Sequence, residues 1–241
     1  MKRLYSMILV SSFMVASVFT YAGTLEWDGN EIKVADEPLL PKYERAQRVY
    51  THLALATYLQ TVDKLSAAKH AYELVLSNDE SSAFVHTQLA SLSLAMQDIR
   101  TAEQECRRAI EIEPQKPAPH FLLGQILLRR SNNSPGNWDD AIAQFQKVTE
   151  LDPNHVDAYR YLGEIAEHRQ DYASAIHAFK ELTRIMPYMP QLYLRLGSVY
   201  NRAGNKQEAI AAYERAIKID RDIGQAHEAL GRLYVEEFDQ I

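Results

Sequence analysis

The chain has a single cysteine, Cys106, among 241 residues, so no internal disulfide can form and a disulfide-framed fold is excluded. Glycine is also scarce. Nine residues are about half the usual share, which favours helices over turn-rich β structure. Positive charge is in deficit, with 26 Lys and Arg against 32 Asp and Glu, and the net of −6 removes the basic footprint of a general nucleic-acid binder. The sequence contains no Gly-rich phosphate loop, no nucleophile elbow and no His-Glu-x-x-His. The carboxylate pairs Asp139-Asp140 and Glu236-Glu237 fall on predicted helix ends or faces, without a partner arrangement for acid–base work. These absences argue against an enzyme and imply neither cofactor nor metal. The 46% hydrophobic content excludes wholesale disorder.

Charge is missing in one further place. After Lys2 and Arg3 none appears until Glu26. Met7–Phe19 is a mostly apolar run, followed by the small-x-small end Thr20-Tyr21-Ala22. A basic start, a short apolar run and such an end read as a secretory signal over residues 1–22. The rival reading is an uncleaved anchor, since the uncharged stretch Leu4–Leu25 is long enough to span a bilayer. Cleavage would remove Lys2 and Arg3 and shift the net charge from −6 to about −8. Either way the expected location is outside the cytosol: periplasmic or secreted, or anchored on the outer side of the inner membrane.

What is present in abundance is repetition. Leu-small pairs recur at Leu55-Ala56, Leu89-Ala90, Leu123-Gly124, Leu162-Gly163, Leu196-Gly197 and Leu230-Gly231. The period is about 34 residues, and the step from Leu123 to Leu162 is longer than the others. Alanines recur at Ala68, Ala102, Ala141, Ala175 and Ala209, and one helical turn after each stands Tyr72, Cys106, Phe145, Phe179 or Tyr213. Proline closes three units at Pro114, Pro153 and Pro187. Each period holds two stretches of helical apolar spacing separated by a polar or Gly-containing turn. Small residues at the Leu-small and Ala slots let helix axes approach closely, and the aromatic fills the gap one turn along. One helix pair cannot bury its own apolar face, so pairs must stack.

This pattern resembles the tetratricopeptide repeat family over residues 49–241. The units are 49–82, 83–116, 117–155, 156–189 and 190–223, with 224–241 as a capping helix. The resemblance implies an all-α, right-handed superhelical solenoid of antiparallel helix pairs. Its concave groove, lined by the first helix of each pair, would bind a peptide, helix or loop of another protein. Two features depart from the pattern. Unit 117–155 carries an insertion, Ser131-Asn132-Asn133-Ser134-Pro135. Residues 23–48 form a leader and the start of the first helix, which is expected over Lys42–Thr61. Within the leader, Leu25-Glu26-Trp27 and Glu31-Ile32-Lys33-Val34 flank Asp28-Gly29-Asn30, the pattern of a small β-hairpin.

The resemblance also predicts the groove-facing positions: the second, fifth, ninth, twelfth and thirteenth of each unit. In the first three units these include Tyr50, Leu53, Phe84, Leu94, Phe121, Leu128 and Arg129. In the later ones they include Arg160, Glu164, His168, Asn201, Arg202 and Arg232. The groove is thus expected to be apolar in its N-terminal half and charged in its C-terminal half. The apolar residues either pack on neighbouring helices or form a contiguous partner site. In the second case an amphipathic partner's charged end would reach Arg160, Arg202 and Arg232. The Lys and Asn clamp that one subclass uses for acidic tails is absent. The ninth positions here are Thr57, Ser91, Gln125, Glu164, Ser198 and Arg232.

Three residue types invite chemical readings that yield to packing. His52, His86, His120 and His227 share the fourth slot of their units. Repeats about 10 Å apart cannot easily share a metal ion bound at roughly 2 Å. Cys106 occupies an aromatic core slot, and Trp138 a turn-packing one. The expected function is a non-catalytic interaction scaffold of the cell envelope. The alternatives are an inner-membrane-anchored assembly factor for an envelope machine (pilus, secretion, cytochrome c or exopolysaccharide) and a regulatory subunit of an enzyme complex. Nucleic acid is not an expected partner, and the membrane is one only if residues 1–22 are retained.

Overall fold

The structure, a computed structural model, describes residues 25–27, 32–34, 42–78, 81–131 and 138–238. The signal segment 1–22, most of the leader and the insertion beyond Ser131 lie outside the described residues. Leu25–Trp27 (β1) and Ile32–Val34 (β2) pair antiparallel, with Leu25 opposite Val34 and Trp27 opposite Ile32. All else described is helix and short turn, and the protein is all-α in class.

The chain divides into two compact units, Met1–Pro114 and Gln115–Ile241. The first holds α1 (Lys42–Thr61), α2 (Leu65–Leu76), α3 (Ala83–Ala95) and α4 (Ile99–Ile112). The second holds α5 (Pro117–Arg130), α6 (Asp139–Leu151), α7 (Val156–His168), α8 (Tyr172–Ile185), α9 (Pro190–Arg202), α10 (Lys206–Ile219) and α11 (Gly224–Phe238). The helices pair in succession as antiparallel hairpins, α1 with α2 through α9 with α10. In α4, α6 and α8 the helix ends just before the closing proline, whose ring and missing N–H forbid another turn.

Local chemistry sets the helix starts. Ser82, Asp98 and Asp171 accept from the backbone N–H of Val85, Thr101 and Ser174, and His155 Nδ1 does the same for Ala158. Hydrogen bonds from the side chain and backbone of Thr101 and Ser174 hold the Asp98 and Asp171 carboxyls below the usual carboxylate range. Pro117 and Pro190 open α5 and α9, where the missing N–H costs nothing.

The turns inside the hairpins share one device. Asp63, Gln97, Gln170 and Gly204 all have positive φ, between 58° and 82°, at the same place in four repeats. Three of the four are not glycine, so the turn holds them in the left-handed region against the Cβ penalty. In the remaining hairpin that place is Ser131, where the insertion begins and φ is −70°.

The core follows the slots. All five repeat alanines are fully buried, and the residue one turn after each is at most 3% exposed. In the first unit, Ala56 and Leu59 of α1, Tyr72 and Val75 of α2, and Val85, Leu89 and Leu92 of α3 form one cluster. In the second, Phe179 and Leu182 pack with Tyr159, Leu196 and Val199, and Tyr213 packs with Ala226 and Leu233.

Candidate interaction surface

Three hairpins of the second unit are each closed by a socket. A Cβ placed on Gly124 would lie 2.7 Å from Phe145 Cε1, and one on Gly197 would lie 2.7 Å from Tyr213 Cδ1. One on Gly163 would meet Phe179 at 3.0 Å. The aromatic of the second helix therefore rests directly on the glycine backbone of the first. At Gly231, in α11, no neighbour among the described residues lies within 4 Å of such a Cβ. The candidate site consists of the predicted groove positions on the first helices, from α1 to α11.

On the first unit the predicted positions are uncharged. Tyr50 of α1 is 71% exposed and Phe84 of α3 is 54% exposed. Leu53 is half-buried against the α1–α3 core, and Leu94 is half-buried. The Thr57 and Thr87 hydroxyls donate to the Leu53 and Ala83 carbonyls at 2.8 and 2.7 Å.

On the second unit the predicted residues meet one another. Arg160 bonds Asp157 at 3.1 Å and Glu164 at 3.4 Å. Glu164 also takes Arg195 at 3.3 Å, and Arg195 reaches Glu167 at 2.9 Å. Glu167 in turn holds Arg202 at 3.3 Å. The result is a chain of alternating charge from α7 to α9. Each arginine also lies over a ring: Arg160 over Tyr161, Arg195 over Phe179 and Arg202 over Tyr172, at 4.5, 4.9 and 5.3 Å. Arg232 bonds Glu228 one turn away. The expectation that Arg160, Arg202 and Arg232 extend toward a partner's charge therefore meets cations already engaged with the chain's own carboxylates. Arg195 was not among the residues anticipated. It belongs to the unit after that of Glu164 and Glu167, so the pairing is visible only if acids of one unit are matched to bases of the next.

The other predicted residues divide between packing and exposure. Phe121 is half-buried in a ring cluster, 5.8 Å from Phe145, 4.7 Å from His155 and 5.8 Å from Tyr161, and Phe145 stacks on Tyr161 at 4.8 Å. Leu128 is half-buried, and Arg129 and Asn201 are exposed. His168 is exposed and meets Trp138 edge-on at 5.8 Å.

Three stretches match tetratricopeptide repeat families: residues 85–116, 136–190 and 190–223. The chain belongs to the tetratricopeptide repeat family. Solved structures share its fold. A crystal structure of MamA is 18% identical, covers 75% of this chain and 96% of its own, and superposes with a TM-score of 0.62. YrrB, described as a TPR protein with an unusual peptide-binding site, is 20% identical over 77% of this chain and 94% of its own, with a TM-score of 0.59. MamA from Desulfovibrio magneticus RS-1, residue 41 to the end, is 22% identical over 65% and 86%, with a TM-score of 0.52. Tetratricopeptide proteins bind other proteins or peptides and are generally non-catalytic.

The remaining slots of this tetratricopeptide array have structural partners. His52 and His120 are buried, and His86 Nδ1 sits 2.6 Å from Glu105. His120 Nδ1 lies 2.8 Å from Gln144. His227 departs from the packing expectation. It is exposed, with Nε2 against the Arg221 carbonyl, because among the described residues no second helix covers α11. Burial, with Glu105 and Glu103 nearby, pushes the Cys106 thiol up to about 12, which makes it an inert core residue. Trp138 is buried beside the turn and donates its Nε1–H to Ser131 Oγ at 3.1 Å. Among the described residues no cluster of His, Cys, Asp and Glu is arranged to hold a metal, and no helix is long and apolar enough to cross a membrane.

Proposed function

We propose that this tetratricopeptide protein is an exported, non-catalytic scaffold of the cell envelope that binds a segment of another protein on the outward faces of its first helices. One observation carries the binding reading. Tyr50 and Phe84 keep most of their surface in water at equivalent positions of neighbouring repeats. Large aromatics left uncovered in this way are the residues that anchor interfaces. The envelope reading rests on Lys2 and Arg3, the apolar run Met7–Phe19 and the Thr20-Tyr21-Ala22 end. The uncharged span Leu4–Leu25 favours a second version in which the segment is retained as an inner-membrane anchor.

A photo-crosslinking residue at Tyr50, compared with one at the exposed Arg108, tests the binding face in cells. Adducts to another protein are expected from Tyr50 and none from Arg108. No adduct at Tyr50 would remove the proposal. Mass spectrometry of the purified protein's N terminus decides between cleavage after Ala22 and retention.

A further inference from the structure

We infer that the segment bound on the first unit is uncharged and carries large apolar or aromatic side chains, and that its recognition owes nothing to ion pairing. The inference rests on the proposed binding role and specifies the partner's chemistry. Its basis is the difference between the two first-helix faces. At the groove positions predicted on α1 and α3 no residue is charged, from Tyr50 and Leu53 to Phe84 and Leu94. The threonine hydroxyl protons there are directed inward, from Thr57 and Thr87 to carbonyls of their own helices. A partner carboxylate or ammonium seated there would lose its water and gain no counter-charge, which costs far more than an apolar contact returns. A neutral side chain loses nothing comparable, and against two exposed rings it gains buried apolar area. The second unit has charge, but Glu164 and Glu167 each bridge two arginines, so on α7 and α9 a charged partner would first have to break bonds that already exist.

A random 12-residue peptide library displayed on phage tests this against the immobilised full chain, with Tyr50→Ser/Phe84→Ser as the counter-selection. Both positions are exposed, so the variant is expected to keep its helical circular dichroism. Peptides that enrich on the parent over the variant should be neutral and rich in Phe, Tyr, Trp, Leu or Met. As synthetic peptides their Kd should change less than twofold between 50 and 500 mM salt and weaken at least tenfold with the variant. A pair of Asp or a pair of Lys inserted in them should also weaken binding at least tenfold. Enrichment of acidic or basic peptides, with affinity that falls steeply in salt and is lost on Arg160→Ala or Arg202→Ala, overturns the inference. So does the absence of enrichment over the variant. Enrichment that emerges only after deletion of residues 1–40 also overturns it, by making the chain's own leader the occupant. A concentration-dependent dimer abolished by the double substitution does so by making the occupant a second copy. Crosslinks from Tyr50 combined with charged enriched peptides would leave the scaffold role standing and sink only this inference.

Discussion

The glycine–aromatic socket makes a prediction that opposite outcomes at equivalent positions can test. Gly124, Gly197 and Gly231 occupy the same slot, so replacing each with alanine makes the same local change in a helix. The helical gain is common to all three and amounts to about 0.8–1.0 kcal/mol. At Gly231 no described residue beyond the helix's own local backbone lies within 4 Å of the new methyl, so the gain stands alone and the variant is stabilised by about that amount. At Gly124 the methyl meets Phe145 Cε1 at 2.7 Å and Cζ at 2.9 Å. Phe145 is fully buried and stacked on Tyr161, so its ring cannot swing into water. Overpacking of this kind costs about 1–3 kcal/mol, so Gly124→Ala is net neutral to about 2 kcal/mol destabilising. Gly197→Ala against Tyr213 behaves alike. Gly163→Ala, at 3.0–3.3 Å, falls between the extremes. Because repeat arrays open locally, the assay is hydrogen exchange resolved by segment together with urea titration followed by helical circular dichroism. Combining Gly124→Ala with Phe145→Leu should cost less than the sum of the single changes. Equal stabilisation by Gly124→Ala and Gly231→Ala would mean that Phe145 does not constrain the Gly124 slot.

Other predictions follow from particular residues. Gln97→Gly and Gln170→Gly should each stabilise by about 0.5–1 kcal/mol by relieving the left-handed backbone, read as a shift in urea midpoint, whereas Gly204→Ala should destabilise by a similar amount. Burial, then the charges of Arg48 and His70, holds the His52 imidazole below its ordinary value, and its Nδ1 has no hydrogen-bond partner. The unfolded chain therefore binds the extra proton first, so stability is complete above about pH 6.5 and falls as the pH drops below it. Exchange protection of α1 and α2 should fall on acidification, and His52→Phe should flatten that response. Cys106 should resist a thiol reagent at mildly alkaline pH in the native protein and react fully in denaturant. Glu167→Gln should loosen Arg195 and Arg202 together, visible as increased side-chain mobility by NMR, with a stability cost of about 1 kcal/mol or less because the pairs are partly exposed.

The architecture was legible because it is written in short-range pattern. Helix pairs, the buried alanines at Ala68 through Ala209 and the residues one turn on follow from residue size at helical spacing, and each recurs often enough to be read against the others. Cys106 and Trp138 could be assigned to packing because their slots were known from sister units. The left-handed turns were less legible. Only one of them uses glycine; Asp63 is of a type that tolerates the left-handed region, but Gln97 and Gln170 carry no compositional mark of the conformation that hairpin closure imposes on them.

The candidate surface was legible only as a set of positions. Which of those positions remain free depends on contacts between residues of successive units. Phe121 was drawn into a ring cluster with Phe145, His155 and Tyr161, whereas Phe84 stayed in water, although both are aromatic residues at predicted groove positions. Arg160 and Arg202 were matched with Glu164 and Glu167, with the unanticipated Arg195 joining them. The sequence by itself determined the period, the pairing and the core, since these depend on volume and helical spacing within one unit and its neighbour. Only the tertiary structure decided which charges are already paired and which rings are still exposed, because both depend on how the surfaces of successive hairpins meet.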